Sequence, residues 1–141
     1  MYKIFKLLLT VICVTIFLAC NSKVKINNSN SYARAKFIDT VFDFKTINAG
    51  EKISFSFMFK NIGNSDLQIL DAQTGCSCTN ADFSKTPVAA GAESKINVTF
   101  DSFGKVGNQY ESIRVKTNGQ PAEYVLQIYG LVTPPELISN Q

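Results

Sequence analysis

Histidine is missing from all 141 residues. That one absence removes Ser-His and Cys-His nucleophile pairs and every histidine-ligated metal site. No glycine-rich phosphate loop occurs, because Gly104-Lys105-Val106-Gly107 is too short to form one. No helical period is visible after residue 20. The longest apolar run, residues 7–19, is thirteen residues long, short of the roughly 20 that a bilayer span needs. Charge of one sign is scarce too. The 14 basic and 11 acidic residues become 12 and 11 once Lys3 and Lys6 are set aside, a net charge near +1. Without a basic stripe or interleaved aromatics, nucleic acid is not an expected partner. The carboxylates Asp39, Asp43, Asp66, Asp71, Asp82 and Asp101 are spread along the chain as solvated charges usually are.

What is present begins at the N-terminus. Lys3 and Lys6 precede the apolar run, which ends in Ala19 and then Cys20. The run has the length of a signal-peptide core, about 7–15 residues. The order of basic, apolar, small and cysteine resembles a bacterial lipoprotein signal ending in a lipobox, with Phe17 and Leu18 as departures from the usual residues. The resemblance implies cleavage of residues 1–19, with loss of Cys13, and acylation of Cys20, which would hold the mature chain on a lipid bilayer. Residues 20–36, rich in Asn and Ser at their start, read as a flexible spacer with a reach of about 20 Å. Lys23 and Lys25 add little head-group attraction. Position 22 is Ser, not the Asp of inner-membrane retention, so the expected location is the outer membrane of the cell envelope.

From residue 37 to 132 the pattern changes to period two. In residues 51–60, Ile53, Phe55, Phe57 and Phe59 share one face, while Lys52, Ser54, Ser56, Met58 and Lys60 share the other; this predicts a half-buried strand. Residues 61–66 form a turn cluster, and further strands are predicted over 37–44, 67–72, 95–101, 110–117 and 124–132. Asn118-Gly119-Gln120-Pro121 marks a turn, since Asn and Gly tolerate positive φ. Tyr124, Leu126 and Ile128 are expected to face the core, and the phenylalanines are read as core residues. Asn97-Val98-Thr99 fits a glycosylation sequon but falls within a predicted strand, and is discounted. Six or seven short strands with frequent turns predict a single Ig-like antiparallel β-sandwich. Thr133, Pro134 and Pro135 end it, because proline cannot continue a ladder, and residues 133–141 form a tail.

The predicted sandwich holds two cysteines, Cys76 and Cys78, in Thr74-Gly75-Cys76-Ser77-Cys78-Thr79-Asn80. Three states are open to them. An internal disulfide needs a sharply turned backbone to bring the α-carbons to roughly 4.4–6.8 Å. It would staple almost no chain, and strain would make it easily reduced. Free thiolates in one tight loop suit Cu(I), which accepts few ligands and prefers sulfur; Met58 is a conceivable third ligand. Zinc fits less well in a chain without histidine. In the third state, the two residues merely shape the loop.

Several motifs, taken in order, resemble the bacterial Ig-like domain-of-unknown-function family 1573. They are Phe42-Asp43-Phe44, Gly50-Glu51, Phe57-Met58-Phe59-Lys60-Asn61-Ile62-Gly63, Cys76-Ser77-Cys78-Thr79, Gly91 and Thr117-Asn118. The family's loop reads Cys-Gly-Cys-Thr, so Ser77 stands where it has glycine. The resemblance implies an Ig-like sandwich and brings no secure activity. The expected function is a non-enzymatic, lipid-anchored binding or structural module that meets an envelope protein or glycan through its loops or an open sheet edge. The alternative is a Cu(I)-binding or thiol-redox protein working through Cys76 and Cys78. No catalytic residue and no other cofactor are expected.

Overall fold

The computed structural model describes residues 30–134. The signal segment 1–19, Cys13, Cys20, residues 20–29 of the spacer and residues 135–141 of the tail lie outside the described residues. Eight strands follow one another: β1 (Ala35–Phe37), β2 (Val41–Asn48), β3 (Lys52–Asn61), β4 (Ile69–Thr74), β5 (Thr79–Phe83), β6 (Glu93–Asp101), β7 (Gly107–Thr117) and β8 (Glu123–Thr133). They form two four-stranded sheets, ordered β1-β3-β6-β5 and β2-β8-β7-β4, packed as a sandwich. The described residues contain no helix.

Alternation along the strands builds the core. Phe57 and Phe59 on β3 meet Ile96, Val98 and Phe100 on β6. From the other sheet come Ile113 and Val115 on β7 and Leu126, Ile128 and Val132 on β8. Aromatic rings join the layers: Phe42 stacks on Phe55 with centroids 3.9 Å apart, and Phe44 on Phe100 at 5.4 Å. The Tyr124 hydroxyl accepts the Ala35 amide at 3.1 Å, so a core aromatic also satisfies a backbone donor. Tyr124, Leu126 and Ile128 therefore face inward as their spacing predicts.

Five expectations need correction. There are eight strands, not six or seven, and two changes account for the count. The segment 37–44 is not one strand, because the chain crosses between sheets at residues 38–40. β1 pairs with β3, and β2 pairs with β8. β5 is not among the predicted strands; its outward Asn80 and Asp82 are poor strand formers, and it is a strand because β6 offers it a ladder from Thr79↔Phe100 to Phe83↔Ile96. Second, the sandwich is not wholly antiparallel. β2 lies parallel to β8, since after the crossing it meets that edge running in the same direction. Third, residues 32–36 belong to the sandwich and not to the spacer. Ala33 and Ala35 are buried, and Ile62 donates its amide to the Arg34 carbonyl at 2.9 Å.

The fourth concerns the β7–β8 turn. Neither Asn118 nor Gly119 takes a positive φ. Gly119 is needed for close approach instead, because a Cβ there would lie 2.5 Å from the Ala33 carbonyl oxygen. Fifth, Phe103 is an exception to the phenylalanine core, being 82% exposed.

The two ends of the sandwich differ. One end holds the Asn61–Ser65 turn, the β7–β8 turn and the point where residues 32–34 join the fold. The other holds the β2–β3, β4–β5 and β6–β7 connections. The ten residues of β3 set the two about 30 Å apart.

Candidate functional site

Cys76 and Cys78 lie in the β4–β5 connection, at the end of the sandwich away from Asn61. A tight turn shapes it: the Thr79 amide donates to the Cys76 carbonyl at 3.1 Å, which also accepts the Thr74 hydroxyl at 3.2 Å. The Asp101 amide donates to the Cys78 carbonyl at 2.8 Å, extending the β5–β6 ladder by one bond. The turn is thus fastened on both sides. Ser77 is not in the left-handed region, which among non-glycine described residues only Lys45 occupies, so serine sits there without backbone conflict.

The two sulfurs are bonded to each other, with α-carbons 5.1 Å apart, inside the ordinary disulfide range. Of the three states open to the pair, the structure holds the disulfide. Their surroundings are unlike. Cys76 Sγ accepts the Cys78 amide at 3.0 Å and the Lys105 ammonium at 3.7 Å. Cys78 Sγ has Glu111 Oε1 at 3.8 Å and the Thr79 hydroxyl at 3.8 Å. Both cysteines, Lys105 and Glu111 are half-buried. The disulfide therefore has a cation beside Cys76 and a carboxylate that is within 4.8 Å of both sulfurs and 3.8 Å from that of Cys78.

Secondary structure explains how these distant residues arrive. Glu111 continues the inward-facing row of β7, which runs back through Ile113 and Val115. At Glu111 the row has reached the open end, where water and the β4–β5 loop replace the core. Lys105 is set by the β6–β7 connection. Its amide donates to the Ser102 carbonyl at 3.0 Å, across Gly104 at φ 71°, where a side chain would be strained. Ser102 is fully buried, and its hydroxyl donates toward the Asn48 and Glu51 carbonyls at 3.0 and 2.8 Å. The loop carrying Lys105 is thereby tied to the β2–β3 turn. Next to it, the Phe103 amide at 2.9 Å and the Lys52 ammonium at 3.0 Å hold the Asp101 carboxyl below its ordinary value, the amide contributing most.

Lys105 and Glu111 have no sequence signature. They stand 29 and 33 residues from the sulfurs they approach, and only the register of β7 and the β6–β7 turn brings them there. Met58, the third ligand considered for copper, is not brought to the pair. It lies on the outer face of β3, opposite Lys95. For the reduced pair, Cys76, Cys78 and Glu111 place three ligand atoms within 4.8 Å of one another. This set fits Cu(I) poorly, because a carboxylate is a hard ligand and the Lys105 ammonium repels a cation beside Cys76.

The end that carries the disulfide also exposes apolar side chains. Phe103 and Val106, which flank Lys105, are 82% and 60% exposed. On the outer face of the second sheet, Tyr110 and Tyr129 sit opposite each other across β7 and β8, both exposed. A bulge in β2 stands beside them, with Lys45 at φ 63° and paired to Asp43 at 2.6 Å. Gly130 permits this bulge, since a Cβ there would strike the Phe44 ring.

Comparison with known proteins places the chain. The family model described as "Protein of unknown function (DUF1573)" matches residues 35–132, and the chain belongs to that family. No curated protein matches it. Among solved structures it is similar to a protein of unknown function from Porphyromonas gingivalis W83, at 14% identity and a TM-score of 0.64, over 77% of this chain and 51% of that one. The chain thus spans about half the length of that relative. It is also similar to the ASH / PapD-like domain of human CEP192, at 15% identity and a TM-score of 0.58, over 74% and 89% of the two chains. The Vibrio cholerae VesB protease is similar at 13% identity and a TM-score of 0.54, over 72% and 32%. At these identities the likenesses show the fold alone, a sandwich of Ig-like or PapD-like kind.

Proposed function

We propose that this protein is a lipid-anchored Ig-like module of the cell envelope that binds an envelope protein through the end of the sandwich carrying the disulfide. It acts by binding rather than by turning over a substrate. The observation that carries this reading is the pair of exposed side chains, Phe103 and Val106, in a loop fixed by buried Ser102. Apolar side chains exposed on a backbone that is already fixed are favoured at binding surfaces, because less loop ordering remains to be met on association. The spacer joins the fold at the opposite end, beside Gly63 and Gly119, so an acyl chain on Cys20 would tether the end that does not bind. Strand addition at β2 is the weaker route, because its bulge bends that edge.

A second reading, glycan binding, is supported by Tyr110 and Tyr129 beside Asp43 and Asn108. Such rings stack on the apolar face of a sugar while polar neighbours meet its hydroxyls.

The test is photocrosslinking in intact envelopes, with a photoreactive residue at position 103 or at position 110. Protein adducts from 103 that vanish on Val106→Asp support the first reading; adducts to glycan from 110 alone would replace it with the second. Labelling with a fatty-acid analogue that disappears on Cys20→Ser supports the anchor, and a soluble, unlabelled full chain would remove it.

A further inference from the structure

We propose that the Cys76–Cys78 disulfide is a polarised exchange site. A thiolate attacks the sulfur of Cys78, and Cys76 is the sulfur that leaves. Lys105 and Glu111 set that direction, and the co-reactant is a protein dithiol, which becomes a disulfide. The inference rests on the surroundings of the two sulfurs and is independent of the binding reading above.

In thiol–disulfide exchange, negative charge arrives on the departing sulfur, and the sulfur that carries it better leaves faster. Cys76 Sγ faces two N–H donors, the Cys78 amide at 3.0 Å and the Lys105 ammonium at 3.7 Å. Both favour charge at that atom. The Glu111 carboxylate lies 3.8 Å from Cys78 Sγ and within 4.8 Å of Cys76 Sγ, so it opposes charge more strongly on Cys78, and the two donors at Cys76 carry most of the difference. In half-buried surroundings these interactions are screened less than on an open surface.

The steps balance. One thiolate of the dithiol forms a bond to Cys78 Sγ as the Cys76–Cys78 bond breaks, and the electron pair goes to Cys76 Sγ beside Lys105. The second thiolate of the dithiol attacks its own partner sulfur in the mixed disulfide and releases Cys78. The dithiol loses two electrons and two protons, while Cys76 and Cys78 gain both and become thiols. The alternative use of this loop, as a staple, has little to offer, because the bridge joins residues only two apart.

The experiment treats the oxidised full chain briefly with reduced glutathione, blocks free thiols with N-ethylmaleimide, and locates both groups by fragment-ion sequencing. Glutathione on Cys78 with maleimide on Cys76 is expected in about tenfold excess over the reverse arrangement. Lys105→Met should bring that ratio toward one and slow reduction by dithiothreitol several-fold, while Lys105→Arg keeps both. An adduct chiefly on Cys76, or a ratio indifferent to Lys105→Met in a variant whose unfolding midpoint is unchanged, would overturn the proposal. The site of the adduct on the unaltered chain decides the direction even where a variant does not fold.

Discussion

Two turns of this sandwich, one at each end, are built on opposite principles. In the Asn61–Ser65 turn the Asn61 side chain is turned inward and satisfied. Asn61 is fully buried; its amide nitrogen donates to the Ser65 and Val88 carbonyls at 2.8 and 2.9 Å. Its amide oxygen accepts the Gly63 and Arg34 amides at 3.0 and 3.4 Å. Gly63 has no side chain because a Cβ would strike the Tyr32 backbone. In the Cys76–Cys78 turn the functional atoms remain reachable, with a cation and a carboxylate left to act on them. A side chain that completes its hydrogen bonds within the fold stabilises it. One whose charged neighbours stay half-exposed contributes little to stability and remains free to react.

The largest effect that would sharpen this contrast is expected from Asn61→Ala. It removes four hydrogen bonds to three segments and leaves the Arg34 and Gly63 amides without this acceptor, and about 3 kcal/mol or more should be lost in chemical denaturation; a loss under about 1 kcal/mol would break the contrast. Gly119→Ala forces a Cβ against the Ala33 carbonyl and should cost about 2 kcal/mol by the same assay. At the other end, Glu111→Gln should leave stability within about 0.5 kcal/mol, yet move the glutathione adduct ratio toward one.

The smallest expected effect is on acid stability, and it too belongs to the disulfide half. The Lys45 side chain and then its amide hold the Asp43 carboxyl below the ordinary value, as the Phe103 amide and Lys52 do for Asp101. A carboxyl lowered in the folded state stabilises the fold above its unfolded value, and that contribution is lost as pH falls through the folded value. The unfolding midpoint should therefore drop on acidification into the carboxylate range, and the drop should be smaller in Asp101→Asn. An unchanged slope would remove Asp101 from the account.

The sequence made some of this legible and hid the rest for physical reasons. Strand β3 is visible because period two persists over its whole length, from Lys52 to Asn61. The inward row of β8 is visible for the same reason. β5 was hidden because an edge strand of polar residues depends on its neighbour and not on its own pattern. The crossing between β1 and β2 was hidden because alternation does not record a change of sheet. The Cys-x-Cys loop announced chemistry without its direction. That direction resides in Lys105 and Glu111, which the β6–β7 turn and the register of β7 deliver to the sulfurs. The Asn61-Ile62-Gly63 motif, whose pattern predicts a turn, is built around the closed hydrogen-bond network of Asn61.

The most direct measurement is equilibrium denaturation of the Cys76→Ser, Cys78→Ser double variant beside the oxidised protein. A bridge closing so short a ring should contribute about 1.5 kcal/mol or less, so the account predicts a variant that is folded, nearly as stable, and unreactive toward glutathione at this loop. A loss as large as that of Asn61→Ala would contradict it, and would make the disulfide a support of the fold.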